Sequence, residues 1–428
     1  GFDTSPLVGH LAAWNYFMSA ESDVNDAFIE DWLKFIKDEK RVTNDPMEAH
    51  VIGFDMWVKA VEKVGTTDVD ISLGDETGAD DTVSVLVNNP DADGDADLLI
   101  SSTVENLLLD IESSTNTGNS TVNLLEGKAA KLSGKEEALL VPSGTMGNLV
   151  SFLAHCPRGT EAILGDRSHT FTYEAGGISA FGGIHSHQLR NEDDGTIDIQ
   201  AIKDAIRYDN IHFPKTALIS LENTHNKCFG YPLSKDYIDE VSVIARENNL
   251  KLHIDGARIF NATVALGTSL SSLVENVDSI TFCLSKGLSC PIGSIICGSK
   301  DFIYEARRIR KALGGGMRQA GIIAAPGLSV LDNIDKQISK DHQNAKSLAE
   351  GIESIKGLKI DSNKVKSNIL YCRLDTDVIG EDEFLNLCKK ENILFFKYPS
   401  GDYRLVTHSG INEDDIKLTL STFEKILS

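Results

Sequence analysis

The stretch DSITFCLSKGLSCPIGS, Asp278 to Ser294, contains two short apolar runs and the first candidate for a catalytic residue. A short apolar run, Ile280 to Leu284, is followed at once by Ser285 and Lys286, and another short apolar run begins at Ile292. Short apolar runs bounded by glycine and serine predict buried strands. Lys286 is therefore predicted to stand at the exposed end of a buried sheet, where a lysine can form a Schiff base. Taken alone, it could also be an ordinary surface lysine after a strand.

A second predicted strand end lies upstream, in KLHIDGARIF, residues 251–260. Its apolar residues run into Asp255, and Arg258 follows three positions later. Taken alone, Asp255 could cap a helix and Arg258 could pair with an acid. Together with Lys286 they form the set that pyridoxal phosphate requires: an amine, a carboxylate for the ring nitrogen and a guanidinium for a substrate carboxylate. Parallel sheets collect such groups along their carboxyl edge.

Six motifs extend this set along the chain. They are LLVPSGTMGN (139–148), ILGDRSHTFTYEAGG (163–177), SLENTHN (220–226), HIDGARIFNA (253–262), LSKGLSCPIGS (284–294) and LGGGMRQAG (313–321). In this order the motifs resemble those of the low-specificity threonine aldolases, and the resemblance covers about residues 120–428. It implies an α/β fold of the aspartate aminotransferase type, with a mainly parallel sheet in a large domain and a small α+β domain at the C-terminus.

The resemblance also implies which residues hold pyridoxal 5'-phosphate. Ser143, Gly144 and Thr145, between a strand and a helix, would cradle the phosphate; from the residues alone they could be an ordinary turn. His169 would stack on the ring, Asn223 would lie near the ring oxygen, and Lys311 and Arg318 would reach the phosphate of a neighbouring subunit. The cofactor-binding set is Ser143, Gly144, Thr145, His169, Asn223, Asp255, Lys286, Lys311 and Arg318.

The reaction that the resemblance implies is retro-aldol cleavage of L-threonine or L-allo-threonine to glycine and acetaldehyde. Its catalytic residues would be Lys286, His169, His225 and Asp255, and its substrate-binding residues would be Arg258, Arg404 and His225. Glu112 to Ser120 holds no tyrosine where the family brings one to the site, and such a loss would lower the activity. We expect a homodimer or homotetramer with sites at the subunit interface.

The beginning of the chain is different. Residues 1–70, notably LVGHLAAWNYFMS (7–19), resemble a fragment of the urea- or short-chain-amide-binding protein of ABC transporters, and two amphipathic helices are predicted there. Residues 71–100 are acidic and predict a linker, although the alternating aspartates Asp91 to Asp97 could also ligate calcium. The predicted domains are therefore 1–70, the linker 71–100, a cofactor-binding large domain 101–335 and a small domain 336–428.

The charge balance, the apolar runs and the cysteines of the chain limit the kinds of partner and location that are expected. The net charge of −23, from 64 acidic and 41 basic residues, argues against nucleic acid as a partner. No apolar run is long enough to span a membrane and no signal segment opens the chain, so a cytoplasmic protein is expected. Seven scattered cysteines indicate reduced thiols and no metal site. His185 and His187 alternate as strand residues do and are interpreted as structural.

Three alternatives stay open from the sequence. A different pyridoxal-phosphate reaction, such as β-elimination or hydroxymethyl transfer, would use the same Lys286, Asp255 and Arg258. A solute-binding chain for urea or an amide would account for residues 1–70. A third alternative is an artificial join of two unrelated families.

Overall fold

The computed structural model describes three strands within residues 69–103 by their backbone, and then residues 120–332 and 334–428. The predicted helices of residues 1–68 lie outside the described residues. The chain divides into two compact units, residues 1–109 and 110–428.

The first unit contains a three-stranded antiparallel sheet in which β2 pairs with both neighbours. Its strands are β1 (Val69–Leu73), β2 (Thr82–Val87) and β3 (Leu98–Thr103). Residues 71–100 were expected to form a linker, so these strands are a difference from the sequence analysis. The physical reason is composition: the acidic run 91–97 falls between strands, whereas the strands are rich in valine, isoleucine and leucine.

The second unit begins with a large α/β domain. Its first elements are α1 (Ser120–Ser133), β4 (Glu137–Val141), α2 (Gly144–His155), β5 (Glu161–Gly165), α3 (His169–Thr172), α4 (Gly177–Ala180), β6 (His185–Leu189), α5 (Ile199–Ala205) and β7 (Thr216–Glu222). They are followed by α6 (Lys235–Glu247), β8 (Lys251–Asp255), α7 (Ile259–Leu266), α8 (Leu270–Leu273), β9 (Ser279–Cys283), β10 (Ser294–Gly298), α9 (Lys300–Ala312) and α10 (Gly321–Val330).

The seven strands of this domain form one sheet in the order β4-β10-β9-β8-β7-β5-β6. β9, β8, β7, β5 and β6 are parallel, and β10 runs antiparallel to both β9 and β4. Every residue of β5, β9 and β10 is buried, as expected for a sheet covered by helices on both faces. The predicted mainly parallel sheet is confirmed, and the carboxyl ends of β5, β7, β8 and β9 meet at one edge.

A small domain completes the unit. Its elements are the long helix α11 (Ile334–Glu353), β11 (Leu358–Lys359), β12 (Ile369–Leu374), α12 (Glu381–Lys390), β13 (Phe396–Lys397), β14 (Asp402–Val406) and α13 (Glu413–Leu427). The sheet order is β11-β12-β14-β13, and Phe384, Tyr403 and Phe423 pack together beneath it. β13 is only two residues long, because only Phe396 and Lys397 pair with β14.

Two further observations bear on the expectations from composition. Within the described part of the chain, no helix combines the length and the apolar character needed to cross a bilayer. All seven cysteines are buried and unpaired.

Candidate active site

Four parallel strands deliver polar side chains to one edge of the large sheet. β7 ends at Glu222 and β8 at Asp255, and the two residues are register partners. Asp255 is also paired in register with Thr281 of β9, whose turn carries Lys286 five residues later. His169 follows the end of β5. Asp255 and Lys286 thus follow neighbouring parallel strands, and their meeting at a cofactor stays a prediction.

Asp255 lies in a buried cluster with three other polar side chains. The Nδ2 group of Asn148 donates to Asp255 Oδ2 and to Glu174 Oε1, both at 2.8 Å. His169 Nδ1 is 2.9 Å from the same Glu174 oxygen, and the backbone N–H of Ala257 donates to Asp255 Oδ1 at 3.1 Å. One asparagine thus bridges two carboxylates that would otherwise repel each other at close range.

The electrostatics of the cluster follow from burial and proximity. Burial raises the pKa of the Glu174 carboxyl, and the hydrogen bond with His169 offsets part of this rise. The same hydrogen bond raises the pKa of His169, while burial opposes it. His169, Glu174 and Asp255 have ligand atoms within 4.8 Å of one another, so they could hold a cation. The Asn148 hydrogens already point at both carboxylates, which makes this a better site for a protonated ring nitrogen than for a metal ion.

Next to the cluster, α2 begins at a turn that exposes its N-terminus. Ser143 caps the helix by accepting a hydrogen bond from the Met146 N–H at 3.1 Å, and Thr145 is exposed beside it. A Cβ added to Gly144 would lie 2.7 Å from Cys283 Sγ, so only glycine lets the helix start this close to the end of β9. Free N–H groups at a helix start attract anions.

Lys286 is half-buried in the turn after β9. Its carbonyl oxygen accepts a hydrogen bond from the Ser289 N–H at 2.8 Å, which closes the turn. A Cβ on the adjacent Gly287 would lie 3.0 Å from Asn261 Oδ1 of α7. Within residues 120–332 and 334–428, the Lys286 ammonium has no carboxylate at ion-pair distance, which leaves the amine available.

Arg258 and Arg404 come together beside this edge although 146 positions separate them in the chain. Burial, and then the charge of Arg404, lowers the pKa of Arg258. Both side chains line a cavity of about 830 Å³ that also includes Thr407 and His408. Two neighbouring guanidinium groups in one cavity favour an anionic ligand such as a carboxylate.

The comparisons with known proteins agree with this geometry. The sequence profile of the beta-eliminating lyase family matches residues 109–375. A probable low-specificity L-threonine aldolase 2 of Arabidopsis thaliana is 46% identical over 306 residues, which cover 71% of this chain and 86% of the relative. The low specificity L-threonine aldolase of Escherichia coli K12 is 42% identical over 69% of this chain and 86% of its own length.

This chain belongs to the low-specificity threonine aldolases. It is therefore a carbon–carbon lyase, and the family resemblance is confirmed. A putative L-allo-threonine aldolase from Listeria monocytogenes has the same fold, with a TM-score of 0.61 and 20% identity over 78% of this chain and 95% of that structure. A putative aromatic amino acid beta-eliminating lyase/threonine aldolase from Exiguobacterium has a TM-score of 0.62 and 18% identity. The match covers 76% of this chain and 94% of that structure. Residues 1–76 match a different family, a periplasmic binding protein domain. This agrees with the resemblance of residues 1–70 to a fragment of a transporter's binding protein.

Two further residues that the sequence predicts for the site, Asn223 and His225, lie just after β7. His225 is only 1% exposed, neither ring nitrogen has a hydrogen-bond partner, and its Nε2 is 4.0 Å from Glu222 Oε2. The Asn223 amide instead bonds to the main chain of Leu233, through Nδ2 at 3.2 Å and Oδ1 at 3.0 Å. Asn223 is thus held as a structural link, and its role near the cofactor stays a prediction.

Two cations predicted to act across a subunit interface are exposed on the aldolase surface. Lys311 is exposed near the end of α9, and Arg318 is exposed in the loop before α10. Their role in a neighbouring site stays a prediction. His185 and His187, interpreted as structural, both face the buried carboxylate of Glu161, at 3.5 and 3.2 Å.

Sequence reasoning missed three residues of the aldolase site. Asn148 and Glu174 lie within quoted motifs but were given no role, and Glu222 was passed over as a strand end. Glu222 accepts hydrogen bonds from the backbone N–H groups of His169 and Asn226, at 2.7 and 2.8 Å. A signal did exist: Asn148 is a polar residue in the apolar face of α2, and Glu222 ends a buried strand.

Proposed function

We propose that this aldolase uses pyridoxal 5'-phosphate to cleave L-threonine or L-allo-threonine into glycine and acetaldehyde. The observation that carries the proposal is the meeting of Lys286, the Asp255 cluster and the α2 N-terminus at one edge of the sheet. The paired arginines beside them supply a site for the carboxylate of an amino acid. The names of the curated relatives support the choice of substrate.

The residues present fit the cofactor. Ser143, Gly144 and Thr145 offer N–H and hydroxyl groups for its phosphate, and Thr281 and Ser294 beneath them have buried hydroxyl oxygens without a hydrogen-bond partner. Asp255 would hold the ring nitrogen protonated. When bound, pyridoxal phosphate supplies an electron sink for the carbon–carbon bond that breaks. Lys286 supplies the amine that would tie it to the protein.

The substrate would be oriented by its carboxylate. Arg258 and Arg404 can share that group, which would relieve the repulsion between these two partly buried cations. The hydroxyl of Tyr371 donates to the Asn226 carbonyl at 2.9 Å. Burial raises the pKa of Tyr371, and the positive charges of Arg404 and Arg258 partly offset this rise. A fixed carboxylate fixes the bond at the β-carbon relative to the site.

The proton of the β-hydroxyl needs an acceptor, and two histidines qualify. His225 has two unpartnered ring nitrogens beside the Glu222 carboxylate, which would stabilise the ring after it accepts a proton. His169 has Nδ1 engaged with Glu174, so only its Nε2 can act. We assign the proton transfer to His225 and the stacking position to His169.

Assembly and location are proposals of the same kind. Lys311 and Arg318 are exposed cations that would complete a neighbouring subunit's phosphate site, so we propose a homodimer or homotetramer. The scattered cysteine pattern supports a cytoplasmic location.

The test is spectroscopic. Purified protein mixed with pyridoxal phosphate should show a band near about 420 nm, and borohydride should fix the adduct to the peptide that carries Lys286. Lys286→Ala should lose both the band and acetaldehyde production. Lys346→Ala, an exposed lysine of α11, is the matched control and should keep both. An adduct on another lysine would refute the assignment.

A second reaction is favoured by one observation, the match of the beta-eliminating lyase profile to residues 109–375. β-Elimination would use the same Lys286, Asp255 and Arg258. The reaction products distinguish these alternatives: acetaldehyde indicates threonine cleavage, indole or phenol indicates β-elimination, and formaldehyde indicates hydroxymethyl transfer. The periplasmic-binding match of residues 1–76 concerns a separate unit, and calorimetry with urea tests whether that unit binds a solute.

A further inference from the structure

A line of buried polar side chains crosses the large domain beneath α2 and ends at the Asp255 cluster. His155 Nε2 lies 2.7 Å from Ser279 Oγ, and the same oxygen lies 2.8 Å from His253 Nδ1. His253 Nε2 then lies 3.4 Å from Asn148 Oδ1. Since the Asn148 amide bridges Asp255 and Glu174, the line joins the start of β9 to the site of the proposed cofactor.

The sequence periodicities explain why these residues meet. Asn148 and His155 are seven positions apart, which puts both on one face of α2. His253 and Asp255 are two positions apart on β8, so their side chains lie on the same face of the sheet. Ser279 is the register partner of His253 on β9. A Cβ on Gly147 would lie 2.5 Å from Thr281 Cγ2, so α2 packs unusually close to the sheet.

When Asp255 and Glu174 are ionised, the direction of each hydrogen bond in the line follows from which groups can donate. The two carboxylates can only accept, so the NH2 group of Asn148 faces them and its Oδ1 faces His253. His253 must therefore carry its proton on Nε2, and its bare Nδ1 accepts from the Ser279 hydroxyl. Ser279 Oγ in turn accepts from His155 Nε2.

Both histidines are suited to this arrangement because they are neutral. Burial lowers the pKa of His253 to about 3, and burial together with the neighbouring His253 lowers the pKa of His155 to about 3. Each ring thus carries one proton at neutral pH. Phe302 stacks on His155 at 4.4 Å between ring centroids, and Phe152 packs edge-on against His253.

We propose that His253, Ser279 and His155 are positioning residues that hold the Asn148 amide in the one orientation that binds both Asp255 and Glu174. The opposite orientation would turn Oδ1 toward two carboxylate oxygens. The line would in this way keep the Asp255 carboxylate in place for the cofactor's ring nitrogen. This role rests on the proposed function, whereas the direction of the hydrogen bonds does not.

The direction is tested in cofactor-free protein by nitrogen-15 NMR of the histidine rings. We expect His253 and His155 to be neutral, with the proton on Nε2 in both. Ser279→Ala removes the group that fixes both rings and should shift the ring signals of both. A proton on Nδ1 of His253 in the unsubstituted protein would overturn the proposal.

The effect on the cofactor is tested by a pair of substitutions at one position. Glutamine can place an N–H near the position of His253 Nε2, whereas asparagine reaches only as far as Nδ1. We therefore expect His253→Gln to bind pyridoxal phosphate within about threefold of the unsubstituted protein, and His253→Asn to bind roughly tenfold more weakly. Equal dissociation constants for the two variants would overturn the positioning role.

A matched control separates positioning from a general loss of packing. Ser242 is another buried serine, and its hydroxyl donates to the Asn276 carbonyl at 2.7 Å. Ser242→Ala should leave the cofactor dissociation constant unchanged, whereas Ser279→Ala should raise it roughly tenfold. Equal effects of the two would overturn the proposal. An unsubstituted protein that takes up no cofactor would refute the proposed function, and the NMR result would still decide the direction of the line.

Discussion

Replacing Arg258 by methionine tests whether the paired arginines form a carboxylate site. The Arg258 side chain is partly buried, and burial and the charge of Arg404 lower its pKa. In the described residues 120–332 and 334–428, neither guanidinium forms an ion pair with a carboxylate, and Arg404 Nε is buried without a hydrogen-bond partner. The substrate-free enzyme therefore holds two neighbouring, partly buried cations that its substrate would neutralise.

The expected magnitudes follow from these contacts. A hydrogen bond to a charged group contributes about 1.5–3 kcal/mol, so kcat/KM for threonine should fall by roughly 10- to 150-fold in Arg258→Met. Methionine fills similar space without a charge. Because removing an unpaired buried charge relieves desolvation and repulsion, the free energy of unfolding of the substrate-free protein should stay the same or rise by about 1 kcal/mol.

The assay combines kinetics with urea unfolding in the presence and absence of glycine. Glycine carries the product carboxylate and should stabilise the unsubstituted enzyme at saturating concentration, but not Arg258→Met. Arg246→Met, an exposed arginine of α6, is the control and should behave like the unsubstituted enzyme. A methionine variant with an unchanged kcat/KM, or one that loses more than about 2 kcal/mol of stability, would refute the reasoning.

Two other substitutions probe the packing and the charge of the cluster. Gly147→Ala should lower the free energy of unfolding by about 1–3 kcal/mol, because the added Cβ would lie 2.5 Å from Thr281 Cγ2. Urea titration measures this change. An unchanged unfolding midpoint would contradict the close packing of α2 on the sheet. Glu174→Gln should lower the pKa of His169 toward 6.5, followed by proton NMR of the cofactor-free protein. The raised pKa of His169 stabilises the fold fully below pH 6.5, and this contribution is lost as the pH rises through the folded-state pKa. The variant should therefore lose that pH dependence, and an unchanged His169 titration would count against the Glu174 contact.

Much of the sheet could be predicted from the sequence because buried parallel strands are nearly continuous apolar runs. Asp255 and Lys286 follow neighbouring parallel strands, as expected from the apolar runs that precede them. The strands within residues 71–100 were missed, because acidic composition over the whole segment outweighed its short apolar runs.

The kinds of residue that stand at the strand ends can be read from the sequence alone, since apolar patterning is a local property. Which polar atoms meet depends on how the helices and strands pack in three dimensions. Asn148 and Asp255 are 107 positions apart, and their hydrogen bond exists because α2 packs closely on β9 at Gly147. The Asn223 amide, which the sequence analysis placed near the cofactor, instead hydrogen-bonds to the Leu233 backbone, because folding brings the two together. Hydrogen bonds act over about 3 Å, so their partners are fixed by packing between elements and not by spacing along the chain.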